Sequence, residues 1–194
     1  MSGLTSGCND LDEVQELNRL FLEFLQTRAR ASDDCLGLGR RVAGLLQTAA
    51  AARLDAMAAF PRALFRLESH QAESPPILDP GADVGARSRQ ALQLTILHSA
   101  WNMSRRNAYG ARLFLGLDEA HIRRLRIMPL SELPAMSAYG GVVTCGFLEA
   151  PWLWKELLTE MRPESRRQLL LIGLQPQVYG RPAAVLQHGE QASA

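Results

Sequence analysis

Four histidines and three cysteines are the side chains here with the most chemistry to offer, and their spacing argues against it. His70, His98, His121 and His188 are dispersed, with no HxxxH or HExxH pair to present two imidazoles on one helix face, so no metal site is expected. Cys8, Cys35 and Cys145 are odd in number and form no CxxC, which leaves neither a disulfide framework nor a closed zinc site. No GxSxG, glycine-rich phosphate loop or cysteine–histidine arrangement supplies a nucleophile or a nucleotide cradle. Cys145 is expected as a packed or interchain residue, not as a catalytic thiol. These residues point to a protein without catalysis, cofactor or metal.

What remains is cationic and aromatic. Arg105, Arg106, Arg112, Arg123, Arg124 and Arg126 gather around a helix–Leu115-Gly116-Leu117–helix segment. As a helix-turn-helix, that segment would set arginines against DNA phosphates. As ordinary solvated helix faces, the same arginines would pair with Asp118, Glu119 or Glu132. The net charge is only +1, −2 over residues 1–100 and +3 over 101–194, well short of an autonomous nucleic-acid binder. Electrostatic help to a partner that reads the bases fits better. Trp152 and Trp154, beside Phe147, suit either a core or a docking patch. Positions 152 and 154 face different sides of a helix, so at least one should sit away from the core. Trp154 is assigned to a partner surface, with Cys145, Phe147 and Trp152.

The elements that must position these residues are helical. Leu17, Leu20, Phe21, Phe24 and Leu25 recur at helical steps within a helix over 11–31, with Asn9 or Asp10 as N-cap. Leu36-Gly37-Leu38-Gly39 turns the chain. Two short helices follow over 40–47 and 50–60, stopped by Pro61, and then an extended run over 63–67. Pro75-Pro76 and Pro80-Gly81 mark a linker. A long helix is predicted over 88–114, weakened near its end by Gly110. Asp118 caps a helix over 119–127, Ser131 caps another with Pro134 in its first turn, and Gly140-Gly141 ends it. Residues 142–147 are β-prone. Pro151 opens a helix over 152–161, a further helix is expected over 163–174, and the tail over 176–194 reads as disordered.

Behind this order lies a repeat. Gly37/Gly116, Leu38/Leu117, Leu46/Leu125, Leu54/Leu133, Met57/Met136 and Phe60/Tyr139 all stand 79 residues apart. A two-residue slip then aligns Arg66-Leu67-Glu68 with Phe147-Leu148-Glu149. The expected architecture is all-α: a degenerate unit over 1–70, a linker over 71–87 and a second unit over 88–175. The two units would be packed as an intrachain pseudo-dimer, with a short extended pairing between 63–67 and 142–148. No apolar run approaches the ~18–20 residues needed to span a bilayer. MSGLTSGCNDLDEV lacks the basic and apolar regions of a secretion signal, so a cytoplasmic location is expected.

These residues resemble a known family. ELNRLFLEFLQTRARASDDCLGL and LQLTILHSAWNMSRRNAYGARLFLGLDEAHIRRLRIMPLSELPAMSAYGGVVTCGFLE look like FlhD, the small helical subunit of the FlhDC activator of bacterial flagellar genes. Leu115-Gly116-Leu117-Asp118-Glu119, Leu130, Met136, Ala138, Cys145 and Phe147 follow the family's order in the second unit. The resemblance implies a regulator that associates with a FlhC-like subunit and reaches promoter DNA through that complex. It also implies that Cys145 matches a cysteine able to bridge a dimer, whereas the first unit has Leu64-Phe65 there. The first unit also replaces the acidic helix start with Gly39-Arg40-Arg41, and here two units share one chain. Self-association of the chain stays open, as does a second function: a helical adaptor or chaperone of a secretion or motility apparatus without a DNA role.

Overall fold

The computed structural model describes residues 4–33, 35–68, 84–139 and 142–159. The apolar stripe of the first segment builds α1, Leu4–Arg30. This helix starts earlier than the pattern suggests, and the expected cap at Asn9 or Asp10 is corrected. Asp10 lies inside the helix, fully buried, because Arg106 and Asn107 hold its carboxylate. After the Gly37 turn come α2, Arg40–Thr48, and α3, Ala51–Ala58, then the short strand β1, Phe65–Leu67.

The second half opens on α4, Val84–Arg106. Residues 84–87, expected in the linker, are therefore helical; the Ser88 hydroxyl donates to the Val84 carbonyl at 2.9 Å and closes the first turn. The single helix expected over 88–114 is broken at Asn107, whose backbone leaves the helical region (φ −145°, ψ 84°). Its side-chain oxygen accepts from the Gly110 N–H at 3.0 Å, capping a new helix, α5, Ala108–Phe114. Asp118 caps α6, Glu119–Ile127, as its type suggests. Ser131 caps nothing: it lies within a 3-10 turn, Leu130–Glu132, that runs into α7, Leu133–Ser137. The strand β2, Val143–Cys145, and α8, Pro151–Leu158, complete the described residues. The glycine stop at Gly140-Gly141, the end of the helix expected to 161, the helix over 163–174 and the tail over 176–194 lie outside them.

Among the described residues the architecture is mostly helical, with one two-stranded antiparallel sheet. Phe65 pairs with Cys145, Arg66 with Thr144 and Leu67 with Val143, within the stretches expected to meet. Two flanking bonds extend the ladder, from Gly146 N–H to the Leu64 carbonyl (2.8 Å) and from Glu68 N–H to the Val142 carbonyl (2.9 Å). The core lies between α1 and α4, each packed on the short helices that follow it and on the other. Phe21 meets Phe65 edge-on at 5.6 Å between ring centres, and Phe60 meets Phe147 the same way at 6.0 Å.

Buried polar side chains of the long helices hold the turns and strands in place, and they do so twice. Asn18 donates to the carbonyls of Ala58, Phe60 and Arg62 at 3.4, 3.2 and 2.8 Å and accepts from Leu64 N–H at 2.8 Å. Gln93 donates to the carbonyls of Ser137 and Tyr139 at 2.7 and 3.1 Å and accepts from Val143 N–H at 3.3 Å. Farther along each helix, Gln26 reaches the Ala49 carbonyl (2.8 Å) and the Trp101 indole reaches that of Met128 (2.8 Å). Ala58/Ser137, Phe60/Tyr139, Leu64/Val143 and Ala49/Met128 all stand 79 apart, the spacing of the sequence repeat. Asn18/Gln93 and Gln26/Trp101 stand 75 apart, as do Leu17/Leu92, Phe21/Ile96, Leu22/Leu97, Leu25/Ala100 and Ala29/Ser104, all but Trp101 buried. The four-residue difference falls between helix and turn, where the second half carries α5.

Candidate functional site

Gly37 and Gly116 carry positive φ angles of 89° and 69°, so both Leu-Gly-Leu turns use the left-handed region open to glycine. A carbonyl of the first turn and one at the end of α5, just before the second turn, each accept from the other half. Ala63 N–H donates to the Phe114 carbonyl at 2.8 Å, and Cys145 N–H donates to that of Leu36 at 3.4 Å. This exchange places Cys145 inside the molecule, 1% exposed, with its thiol donating to the Cys35 carbonyl at 3.3 Å. Phe147 is buried against Phe60. Trp154 is buried too, and its indole N–H donates to the Gly146 carbonyl at 2.9 Å. The assignment of Cys145, Phe147 and Trp154 to a partner surface is therefore corrected: all three belong to the core where α8 closes over the sheet. Of the four candidates only Trp152, 49% exposed, faces outward, so positions 152 and 154 do face different sides of the helix and Trp154 is the inner one.

The arginines divide as well. Arg106 is drawn inward onto Asp10 and onto Glu13 at 2.9 Å. Hydrogen bonds to Glu13 and to Asp10 raise its pKa, against a smaller opposing effect of burial. One guanidinium nitrogen is thus engaged by two carboxylates, while the side chain stays 40% exposed. Arg105 lies over the Trp101 ring, 4.7 Å from its centre, and donates to the Arg126 carbonyl at 3.2 Å, which ties α4 to the end of α6. Arg112, Arg123, Arg124 and Arg126 are exposed on α5 and α6.

Asp118, at the start of α6, accepts from the backbone N–H and the ring Nδ1 of His121, both at 2.8 Å. Burial alone would raise its pKa, but the bonds from His121 and the N–H of Ala120 hold the carboxyl below its usual value. Among the described residues no three histidine, cysteine or acidic side chains gather as a metal site, and no helix is long and apolar enough to cross a membrane.

The sequence patterns missed one surface. A groove of about 340 Å³ opens where the Gly37 turn and α2 of the first half meet α8 of the second. Its signal was the exposed partner of a Trp-x-Trp pair, legible only once it was known which tryptophan faces in. Comparison with protein-family models, curated proteins and solved structures found no match.

Proposed function

We propose that this chain is a non-enzymatic transcriptional regulator subunit of FlhD type, built as a fused pseudo-dimer. It acts with a FlhC-like DNA-binding partner at flagellar or motility-type promoters. The observation that carries this reading is the recurrence of one set of side-chain-to-carbonyl bonds, from Asn18 and Gln26 in the first half and from Gln93 and Trp101 in the second. A two-fold assembly of like units uses the same contacts twice, and each half also accepts an N–H of the other, though not at equivalent positions. The exposed Arg112, Arg123, Arg124 and Arg126 add cations on α5 and α6, where a bound partner's DNA would be steadied.

The test is DNA binding by the chain alone, by a FlhC-like protein alone and by the two together, across a salt series. The regulator reading expects little binding alone and tighter, salt-dependent binding by the pair. A pair that binds no better than the partner by itself overturns it. The second reading, a helical adaptor of a secretion or motility apparatus, is favoured by the apolar groove at Trp152 and needs no DNA.

A further inference from the structure

The groove between α2 and α8 has apolar walls formed by Val42, Leu45, Leu148 and Trp152, with Arg41 and Lys155 also lining it. Leu148 and Trp152 stay 38% and 49% exposed, so two large apolar side chains border it that the core does not take up. Both cations are exposed. Glu149, the carboxylate next to Leu148, is turned toward Arg66 at 3.5 Å and does not lie among the lining residues.

The other half has a counterpart, and the difference between the two is informative. Leu38, Val42 and Leu45 correspond, at the repeat spacing of 79, to Leu117, His121 and Arg124. Those three residues line a space of only about 20 Å³. Polar side chains replace the apolar floor there, and the room is gone. The open groove therefore forms where the turn and α2 of the first half meet α8, and the corresponding turn and α6 of the second half line no such space.

We propose that this groove receives an amphipathic helix from a partner protein, its apolar side chains seated on Leu45, Leu148 and Trp152 and its carboxylates facing Arg41 and Lys155. The volume is at the lower end of the ~300–1,000 Å³ usual for pockets that bury a ligand, which suits a few anchoring side chains. Helices α2 and α8 bound the groove, so a strand would find no ladder there, whereas anchors at steps of three and four fit between helix walls. Cations at the edge select an acidic flank. The inference is independent of the regulator reading, since it requires neither DNA nor a FlhC-like protein.

Two synthetic helical peptides with one shared Leu/Ile face, flanked by Glu in one and by Lys in the other, test it against the full-length chain. Tryptophan fluorescence follows binding. The Glu-flanked peptide should bind about three- to tenfold tighter, with the preference shrinking as salt is added. Lys155→Gln should reduce that preference, and Trp152→Ala, at an exposed position, should weaken both peptides while leaving the helical spectrum intact. Lys155 is the only lysine in the chain, so carbodiimide coupling of the bound Glu-flanked peptide should place an amide there, read by mass spectrometry. Equal affinity of the two peptides, binding unchanged in Trp152→Ala, or no coupling at Lys155 overturns the proposal. Concentration-dependent self-association abolished by Trp152→Ala also overturns it, by giving the groove to a second copy.

Discussion

Asn18 and Gln93 do the same work with side chains that differ by one methylene. Each sends its amide N–H groups to carbonyls two residues apart, three of them for Asn18 and two for Gln93, and accepts from the N–H at the start of the following extended segment. Both are 2% exposed or less, so removing either amide strands backbone groups that water cannot reach. Asn18→Leu and Gln93→Leu should each cost about 2–4 kcal/mol, since every buried group left unpaired costs roughly 1–3. In urea, both variants should lower the midpoint of a single transition without changing its slope. Two separate transitions, each moved by only one variant, would show that the halves unfold independently.

Gly110 and Gly44 should respond to alanine in opposite directions. A Cβ at Gly110 would stand 2.7 Å from both the Asp10 carboxylate and the Asn107 amide, the pair that joins α1 to the break after α4. Gly110→Ala should therefore destabilise by about 1–3 kcal/mol despite alanine's better helix propensity. Gly44, inside α2, has nothing within 4 Å of its Cβ position, so Gly44→Ala should stabilise by roughly 0.5–1 kcal/mol. Thermal melts of the two variants beside the parent check both signs.

Local signals in the sequence located the Leu-Gly-Leu turns and the cap at Asp118 because each is fixed by neighbours a few residues away, whereas the pairing of 65–67 with 143–145 was expected from the repeat. The matching hydrogen-bond roles of α1 and α4 were hidden for two reasons. The spacing changes from 79 to 75 across the connection that α5 occupies, so a fixed offset misaligns the long helices. The side chains that match by position, Asn18 with Gln93 and Gln26 with Trp101, share a hydrogen-bonding task but not an identity. Asp10 read as a cap because aspartate favours helix starts; only Arg106 and Asn107, nearly a hundred residues on, explain its burial. The tryptophans were placed on opposite faces correctly, but which face is inner depends on the sheet, through Gly146.

Asp118 gives α6 a pH dependence with a definite sign. Its carboxyl is held below the ordinary 3.8 in the folded chain. The unfolded state therefore binds its proton first as pH falls, and stability rises with pH across that window. The contribution is complete above the unfolded value and is lost as pH drops through the folded one. Asp118→Ala should cost about 1 kcal/mol near neutrality. The gap to the parent should close toward acid, and denaturant midpoints measured from neutral pH down to below that value will show it. A gap independent of pH would mean that the ionised carboxylate is not the cap.

Trp154 and Trp152 provide the sharpest contrast between neighbours. Trp154 is fully buried and bonded to the Gly146 carbonyl, so Trp154→Ala leaves a cavity and an unsatisfied carbonyl beside the sheet. The expected cost is about 3–5 kcal/mol, large enough to loosen α8. Trp152→Ala removes a half-exposed ring and should change stability by no more than ~1 kcal/mol. Acrylamide quenching separates the two without relying on stability. In Trp154→Phe, where the buried emitter is gone, the remaining signal should be quenched more readily and emit farther to the red than in Trp152→Phe. The reverse order would place Trp154 on the surface after all, and the closure of α8 over the sheet would have to be abandoned.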